Sequence, residues 1–406
     1  MPCNYFRRLL LLASVVCLFS LAAPLNVLAD DDFATWLAAF QKEARQAGIS
    51  EKTLATAFAN LSPIPRVIEL DRKQPEFLMT FWRYLDVTVS ADRVEKGRRL
   101  LEENKDLLRM IERRYGVQPR FLVAFWGLET NYGGNLGSFP VIGALATLAH
   151  DPRRSDFFRQ ELLAALRILD EGSIPLEAMN GSWAGAMGQT QFMPSTFVRF
   201  AVDMDGDGRR DIWNSLPDVF ASAANFLASS GWSTGGDWGC EVQLPATFNL
   251  DLADDQKITK TLDEWQALGI RPRGDSHPFP DPQRKAALIL PAGVSGPAFL
   301  IFQNFRIILQ WNRATLYAVA IGHLADRLTG MGPLLAPRPW SEEQLRRTQI
   351  EKIQQTLTDL GFDPGPADGI FGTKTRMAIK AFQKNRQMPA DGYPSPELFK
   401  IMVETP

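Results

Sequence analysis

A single glutamate directly follows an almost wholly apolar stretch of the chain, in the segment PRFLVAFWGLETNYGG at residues 119–134. Pro119 suits the first turn of a helix. The apolar residues after it predict a helix buried on every side, which the glycines at 133 and 134 end. Burial raises the pKa of a carboxyl group, so Glu129 would suit a general acid at neutral pH. A glutamate at a helix end also caps loops or pairs with arginine, and this segment alone leaves that structural role open.

The rest of the sequence disfavours several other catalytic chemistries. Only three histidines occur, with no HExxH motif and no Cys/His cluster at metal-ligand spacing, which argues against a zinc hydrolase. The sequence has neither a G-x-S-x-G nucleophile elbow nor a phosphate-binding loop of the G-x-x-x-x-G-K type. Carboxylate chemistry remains, and glycoside cleavage normally needs a proton donor of raised pKa.

The N-terminus predicts export. Arg7 and Arg8 precede the apolar run LLLLASVVCLFSLAA, and residues 27–29 (VLA) offer a cleavage site before Asp30, which is the pattern of a secretory signal peptide. A retained membrane anchor is the alternative, which the shortness of the apolar run disfavours. Cys17 follows two valines, a poor setting for lipidation. We therefore expect an exported, periplasmic protein without a membrane span after cleavage.

Cysteine content and charge agree with this expectation. Cys3 and Cys17 would leave with the signal peptide, so Cys240 is alone and the mature chain has no internal disulfide. The signal peptide carries two arginines and no acid, so the formal net charge of −2 becomes −4 on cleavage. That charge gives no attraction to nucleic acid. A hydrophobic content of 45% supports a large core, and 406 residues allow two or three domains.

Apolar periodicity predicts helices over much of the chain before residue 237 and again over 314–328. Residues 94–115 are predicted to form one long helix, closed by Gly116. Between the helical parts, residues 237–310 contain the apolar runs EVQL, AALIL and FLIFQNF among prolines and glycines, which predict short strands. The Gly- and Pro-rich stretch 330–340 then indicates a linker.

The tail after this linker forms a small unit of its own. A helical stripe beginning at Ile350 is ended by Gly361, and two Asp-Gly turns are each followed by a further helical pattern. The arrangement LxxLGFxPGPxDGIFGTKTRxAIxAFQ…DG resembles the peptidoglycan-binding domain of bacterial cell-wall enzymes over residues 345–403. The resemblance implies binding to the wall polymer, and an unrelated helical cap is the alternative.

A second segment indicates a saccharide as the substrate. GSWAGAMGQTQFMPS (181–195) combines small residues with neutral hydrogen-bonding side chains and aromatic rings, which suits an uncharged sugar, although a tightly packed loop would need small residues too. Together with GLETNYGG, this segment resembles the lytic murein transglycosylase B family (glycoside hydrolase family 103). So do DPRRSDFF (151–158), LPAGVSGPAFLIFQNF (290–305) and WNRATLYAVAIGHLAD (311–326), and the resemblance spans about residues 33–330 in the family's order.

The resemblance implies a catalytic residue and a set of substrate-binding residues. Glu129 matches the family's catalytic acid/base. Arg153 and Arg154 would pair with the lactyl-peptide carboxylates of the substrate, which a guanidinium fork fits well, and a solvated basic pair is the alternative. Trp311 and Phe157 stand where some members have tyrosine, so a hydroxyl contact is lost at each and both are left out of the predicted site. The matching substrate-binding residues are Tyr84, Arg153, Arg154, Ser182, Gln191, Asn312 and Tyr317.

The family's chemistry explains how one carboxylate suffices. Glu129 would protonate the glycosidic oxygen between N-acetylmuramic acid and N-acetylglucosamine. It would then take the proton of the C6 hydroxyl of the same muramic residue, which attacks C1 and forms a 1,6-anhydromuramoyl end without water. A hydrolytic muramidase and a non-catalytic cell-wall-binding protein stay open as alternatives.

Residues 203–214, DMDGDGRRDIWN, follow the EF-hand pattern of calcium ligands. Gly208 supplies the sharp turn, and Asn214 replaces the usual glutamate at position 12. Asp218 would compensate, as in the family's own shortened site. The pattern predicts a structural calcium site that the chemistry does not need, and an Asp-Gly surface turn is the alternative. The predicted ligands are Asp203, Asp205, Asp207, the Arg209 carbonyl, Asp211 and Asp218.

Together these patterns predict a mainly helical, α+β protein. We expect a lysozyme-like catalytic domain with a small strand-containing insert, followed by a three-helix peptidoglycan-binding domain. The expected partners are peptidoglycan glycan strands. The predicted boundaries are 1–29 for the signal peptide, 30–330 for the catalytic domain, 331–344 for the linker and 345–406 for the binding domain.

Overall fold

The computed structural model describes residues 25–72, 79–253, 257–274, 279, 281–339, 343 and 345–404. Residues 1–24 of the predicted signal peptide and residues 340–342 and 344 of the predicted linker lie outside the described residues. Within the described part of the chain, no helix combines the length and the apolar character needed to cross a membrane.

Eleven α-helices precede the strand-containing insert in the described residues. Several begin at a serine or threonine whose side chain accepts a hydrogen bond from the backbone three residues on, as Ser50 and Thr80 do, which stabilises a helix start. The helices are α1 (Leu25–Gln46), α2 (Glu51–Ala57), α3 (Pro65–Arg72), α4 (Phe81–Thr88), α5 (Ala91–Glu103), α6 (Lys105–Tyr115), α7 (Pro119–Thr130), α8 (Val141–His150), α9 (Ser155–Asp170), α10 (Pro194–Phe200) and α11 (Leu216–Ser229).

The prediction of one long helix over residues 94–115 is wrong. Asn104 ends α5 and precedes α6, and its side-chain amide donates to the Leu100 carbonyl at 2.9 Å. Asparagine competes with the backbone for hydrogen bonds and so favours helix ends. Gly116 does close α6 as expected, since it adopts the left-handed conformation with φ 74°.

Helix α7 is the buried helix that carries Glu129. Pro119 is its first residue, and every residue from Phe121 to Gly127 is buried, as the sequence predicts. The helix ends earlier than the glycines at 133 and 134, because Asn131 takes the left-handed conformation with φ 51°. Asparagine tolerates this conformation better than most residues. Glu129 therefore lies in the last turn of α7, where the chain leaves the core.

The insert contains a five-stranded antiparallel sheet with the order β4-β6-β7-β3-β5. Trp265 and Leu300 belong to a separate apolar core on this sheet. The expected strand FLIFQNF extends only to Ile301, and a helix begins at Gln303, because the following apolar residues recur at helical spacing. A two-stranded ribbon precedes the insert. The strands are β1 (Phe139–Pro140), β2 (Asn180–Gly181), β3 (Gly239–Gln243), β4 (Thr259–Thr261), β5 (Arg271–Pro272), β6 (Lys285–Ile289) and β7 (Ala298–Ile301).

Three more helices in the described residues lie between β4 and the C-terminal unit. Helix α12 (Leu262–Ala267) lies beside β4, and α13 (Gln303–Trp311) and α14 (Thr315–Leu328) follow the sheet. Helix α14 packs against α7 and α5. It is buried along nearly its whole length, so it fixes the face of α7 that carries Glu129.

The C-terminal unit consists of α15 (Arg347–Asp359), α16 (Thr373–Asn385), α17 (Pro396–Phe399) and a final π-helical turn. Two buried glutamines hold its two Asp-Gly turns in the same way. Gln354 accepts a hydrogen bond from the Gly369 amide, and Gln383 accepts one from the Gly392 amide, each at 2.8 Å. The unit contacts the insert through Lys380, whose Nζ donates a hydrogen bond to the Leu250 carbonyl at 2.9 Å.

Candidate active site

Glu129 is held by two donors that reach the same carboxyl oxygen. The indole Nε1 of Trp311 lies 2.9 Å from Oε1, and the hydroxyl group of Tyr317 donates to that oxygen as well. Part of the residue stays exposed, but protein encloses its carboxyl group. Burial raises the pKa of Glu129 to about 7, although the hydrogen bonds from Tyr317 and Trp311 act in the opposite direction. This pKa lets the group donate and accept a proton near neutrality.

Tyr317 comes from the first turns of α14 and is buried against α7. Burial and the neighbouring Glu129 raise its pKa well above the usual value, so the hydroxyl group stays a proton-bearing donor. Tyr84 of α4 lies close enough to interact electrostatically with Tyr317. The structure therefore brings three of the residues predicted for the site, Glu129, Tyr317 and Tyr84, to one place.

Trp311 belongs to this group although the sequence argument left it out. The expected loss of a hydroxyl contact does not leave this position without a donor, because the indole N–H supplies a hydrogen bond to Glu129. Tryptophan carries a donor on an apolar ring. That property, together with its place just before Asn312, was the signal available in the sequence.

Gln189 connects the end of α7 with the predicted calcium loop. Its Oε1 accepts from Trp126 Nε1 at 2.6 Å, and its Nε2 donates to the Trp213 carbonyl at 2.8 Å. Its backbone carbonyl accepts from the Thr130 hydroxyl group at 3.1 Å, and its amide donates to the Ile212 carbonyl at 2.8 Å. Gln189 is buried, so these bonds fix the residues on either side of Glu129. Sequence reasoning gave it no separate role.

Three predicted sugar-binding side chains are held by nearby backbone groups. Ser182 Oγ accepts from the Ala186 amide at 3.1 Å. The side-chain amide of Gln191 donates to the Gly188 carbonyl at 3.0 Å and to the Leu136 carbonyl at 3.2 Å. Asn312 Oδ1 accepts from the Ala314 amide at 3.0 Å. These bonds preset the three side chains, and Asn312 directly follows Trp311, whose indole contacts Glu129.

Arg153 and Arg154 share one buried acid. Asp71 Oδ1 accepts from Arg153 Nη2 at 2.6 Å and from Arg154 as well. Burial alone would raise the pKa of Asp71, but the hydrogen bonds and charges of the two arginines hold it below the usual value. Among the described residues, no hydrogen bond or ion pair links the two arginines with Glu129. Both keep exposed surface, and sequence reasoning missed Asp71, which lies more than eighty residues away along the chain.

The predicted calcium ligands are brought together in part. Carboxylate oxygens of Asp203, Asp205 and Asp218 all lie within 4.8 Å of one another. Burial and the neighbouring charge of Asp205 raise the pKa of Asp218, because both disfavour its charged form. Three carboxylate oxygens at this separation suit a hard cation such as calcium.

The predicted carboxylate ligands Asp207 and Asp211 are not part of this cluster. Asp207 Oδ1 accepts from the Arg209 amide at 2.8 Å, and Asp211 Oδ1 accepts from the Trp213 amide at 2.8 Å. Both oxygens of Asp211 bind the side-chain amide of Asn214, at 3.3 and 3.1 Å. These side chains stabilise the turn instead of completing the three-carboxylate cluster.

Comparison with known proteins places this geometry in a known class. The transglycosylase SLT domain family matches residues 32–326, and the peptidoglycan binding domain family matches residues 346–402. Over 247 residues the chain is 32% identical to membrane-bound lytic murein transglycosylase B of Escherichia coli, an alignment that covers 60% of this chain and 66% of that protein.

Solved structures of lytic transglycosylases are similar to this chain over most of its length. SltB3 from Pseudomonas aeruginosa, in complex with NAG-anhNAM-pentapeptide, is 46% identical with a TM-score of 0.87, over 91% of this chain and 99% of that one. Escherichia coli Slt35 in complex with calcium is 27% identical with a TM-score of 0.63, over 74% and 93% of the two chains.

The fold and the sequence matches define a lytic transglycosylase, an enzyme that cleaves peptidoglycan. The chain belongs to the lytic murein transglycosylase B family and carries a C-terminal peptidoglycan-binding domain. The predicted family and fold class are confirmed: a mainly helical catalytic domain with a small antiparallel insert, followed by a helical binding domain.

Proposed function

We propose that this enzyme cleaves the β-1,4 bond between N-acetylmuramic acid and N-acetylglucosamine without water, with Glu129 as acid and then base. The enclosed carboxyl group with a pKa of about 7 carries the proposal. In the described part of the chain, the side chains that bind the Glu129 carboxyl group are an indole and a phenol, and no second acid is among them. Direct hydrolysis with either retention or inversion normally uses two carboxylates, so a single one favours attack by a group of the substrate itself.

The reaction has two proton transfers. Glu129 gives its proton to the glycosidic oxygen as the bond from that oxygen to C1 breaks. The C6 hydroxyl oxygen of the muramic residue then bonds to C1, and its proton passes to the Glu129 carboxylate. The products are a 1,6-anhydromuramoyl end and a free N-acetylglucosamine hydroxyl group, and Glu129 is again protonated. The complex of SltB3 with NAG-anhNAM-pentapeptide, which contains an anhydro sugar, supports this outcome.

The substrate would be held by neutral groups near the bond and by charge farther away. Ser182, Gln191 and Asn312 are preset by backbone hydrogen bonds and would contact the sugar beside the scissile bond. Arg153 and Arg154 would bind the carboxylates of the lactyl-peptide, since Asp71 holds both while their surfaces stay exposed. Tyr84 would contact the substrate beside Tyr317.

The N-terminal pattern supports export to the periplasm, with cleavage before Asp30. Calcium would be held by Asp203, Asp205 and Asp218, where it supplies positive charge among three acids. Its role is structural, because the loop is joined to α7 through Gln189. Binding of calcium by the relative Slt35 supports this assignment.

Product analysis tests the proposed function. Purified sacculi are digested with the enzyme, and the released muropeptides are weighed by mass spectrometry. We expect anhydro ends. Reducing ends, each one water heavier, would show a hydrolytic muramidase instead, and the absence of released products would show a wall-binding protein.

The pH dependence follows from the pKa of Glu129. The first step needs the protonated form of Glu129. On the basic side of the pH profile, kcat/KM should therefore begin to fall near pH 7 and then decrease by about tenfold per pH unit. Initial rates on soluble glycan strands between pH 5 and 9 measure this profile. A kcat/KM that stays constant from pH 6 to 9 contradicts the assignment of Glu129 as the acid.

Calcium should raise the melting temperature of the enzyme. A ligand at one hundred times its Kd raises the unfolding free energy by about 2.7 kcal/mol, which corresponds to about 4 °C for a domain of about 300 residues. Asp205→Asn should abolish most of the rise. Asp207→Asn is the matched control and should keep it, because Asp207 lies outside the carboxylate cluster. No calcium uptake in calorimetric titration of the folded protein would reject the site.

A further inference from the structure

The two oxygens of the Glu129 carboxyl group have different surroundings. Oε1 accepts from Trp311 Nε1 at 2.9 Å and from the Tyr317 hydroxyl group. No residue in the described part of the chain donates a hydrogen bond to Oε2, and the cavity at Glu129 is otherwise lined mostly by apolar side chains. Protein donors therefore hold Oε1, whereas Oε2 is available to exchange a proton with the substrate.

Trp311 and Tyr317 differ in the hydrogen bonds that they can form with Oε1. A phenol hydroxyl group turns, and it donates or accepts as its partner requires, whereas an indole N–H only donates. A carbonyl-type oxygen has two lone pairs and accepts both bonds. A protonated Oε1 would lose one of these bonds, because Trp311 cannot accept. The indole, and not the phenol, fixes Oε1 as the acceptor in both protonation states of Glu129.

The indole ring cannot turn away from this contact. Its centroid lies 4.4 Å from the Phe125 ring, 5.2 Å from the Phe192 ring and 5.0 Å from the Phe226 ring. These three rings come from α7, from the loop before α10 and from α11. Packing on three sides gives the N–H a fixed direction, so Oε1 keeps its donor whether or not substrate is bound.

We propose that Trp311 is a positioning residue, which holds Glu129 by Oε1 and thereby confines the exchangeable proton to Oε2. The inference rests on the proposed role of Glu129. The proton leaves Oε2 for the glycosidic oxygen as the C1–O bond breaks, and the proton of the C6 hydroxyl group returns to Oε2 as the C6 oxygen bonds to C1. One atom thus serves as acid and base, and the carboxyl group does not rotate between the two steps.

Nuclear magnetic resonance of the whole enzyme labelled with ¹⁵N-tryptophan tests the contact directly. The indole signal of Trp311 is assigned by its loss in Trp311→Phe. It should shift with pH in a single transition, with a midpoint at the pH where kcat/KM begins to fall. Tyr317 is the titratable group in contact with Glu129, and burial and the Glu129 charge keep its pKa far above this range. The transition should disappear in Glu129→Gln.

The kinetic test uses Trp311→Phe and a matched control. Loss of a donor to the charged carboxylate should move the basic limb of kcat/KM to higher pH by about one unit. Trp232→Phe removes another indole donor, whose partner is Gln118 at 3.0 Å, and should leave the limb unchanged. A merely structural role for Trp311 would lower the rate at every pH without moving the limb.

The outcomes separate this inference from the proposed function. An indole signal that does not titrate, or a Trp311→Phe profile with the limb of the wild type, overturns the positioning role. If Glu129→Gln keeps its activity, the assignment of Glu129 itself fails. If Trp311→Phe does not fold, an indole signal that titrates in the wild type and not in Glu129→Gln still identifies the contact, because Trp311 is the indole that donates to Glu129 in the described residues; the absence of any such signal overturns the inference.

Discussion

Glu129→Gln abolishes cleavage of peptidoglycan while binding is retained: this is the largest effect expected. The amide neither gives the first proton nor accepts the second, and each proton transfer contributes about 10²–10⁴-fold to the rate. We expect kcat to fall by about 10⁴-fold or more. Turnover of labelled glycan strands measures the loss, and sedimentation with sacculi measures binding.

The substitution should leave the fold intact, which makes the result interpretable. A glutamine oxygen still accepts from Trp311 Nε1 and from the Tyr317 hydroxyl group. Glu95→Gln is the matched control, because Glu95 is exposed on α5, and its activity should equal that of the wild type. A Glu129→Gln enzyme within tenfold of the wild-type kcat would remove Glu129 from the mechanism.

Gln189→Leu should cause the second large effect, on stability and on activity together. The change conserves volume but leaves Trp126 Nε1 and the Trp213 carbonyl without their present partner. An unsatisfied buried polar group costs about 1–3 kcal/mol, so the unfolding free energy should fall by about 2–5 kcal/mol. Urea unfolding followed by tryptophan fluorescence measures this loss.

Activity should fall as well, because Gln189 fixes the end of α7. A misplacement of about 1 Å costs about 10²-fold in rate, and Trp126 and Thr130 flank Glu129 in the same helix. Gln160→Leu, at an exposed position of α9, should change the unfolding free energy by less than about 0.5 kcal/mol. If Gln189→Leu matches this control in both unfolding free energy and rate, the hydrogen bonds of Gln189 between the predicted calcium loop and α7 contribute neither to stability nor to activity.

Local patterns predicted the elements around the site. The apolar run after Pro119 predicts a buried helix, and the structure has it, with Glu129 in the last turn. Gly116 ends its helix as expected. Two predictions are wrong, and each fails at a boundary between elements. Asn104 divides the predicted long helix, and the predicted strand changes to helix after Ile301. Periodicity alone does not show which of two compatible local structures tertiary packing selects.

The partners of the site were harder to predict because they lie far apart along the chain. Trp311 meets Glu129 across 182 residues, and Asp71 meets Arg153 across 82. A sequence pattern gives the face of a helix on which a side chain lies, but not the distant side chain that packs against it. The family resemblance supplied Tyr317, and it led away from Trp311, whose indole donor takes the place expected for a hydroxyl group.

The central claim is that a hydroxyl group of the substrate, and not water, attacks C1 while Glu129 serves as both acid and base. Digestion of sacculi in H₂¹⁸O, with mass spectrometry of the newly formed muramic ends, tests it most directly. We predict anhydro ends that contain no ¹⁸O. Reducing ends that carry one ¹⁸O atom at C1 would show that water attacks, and would contradict the account.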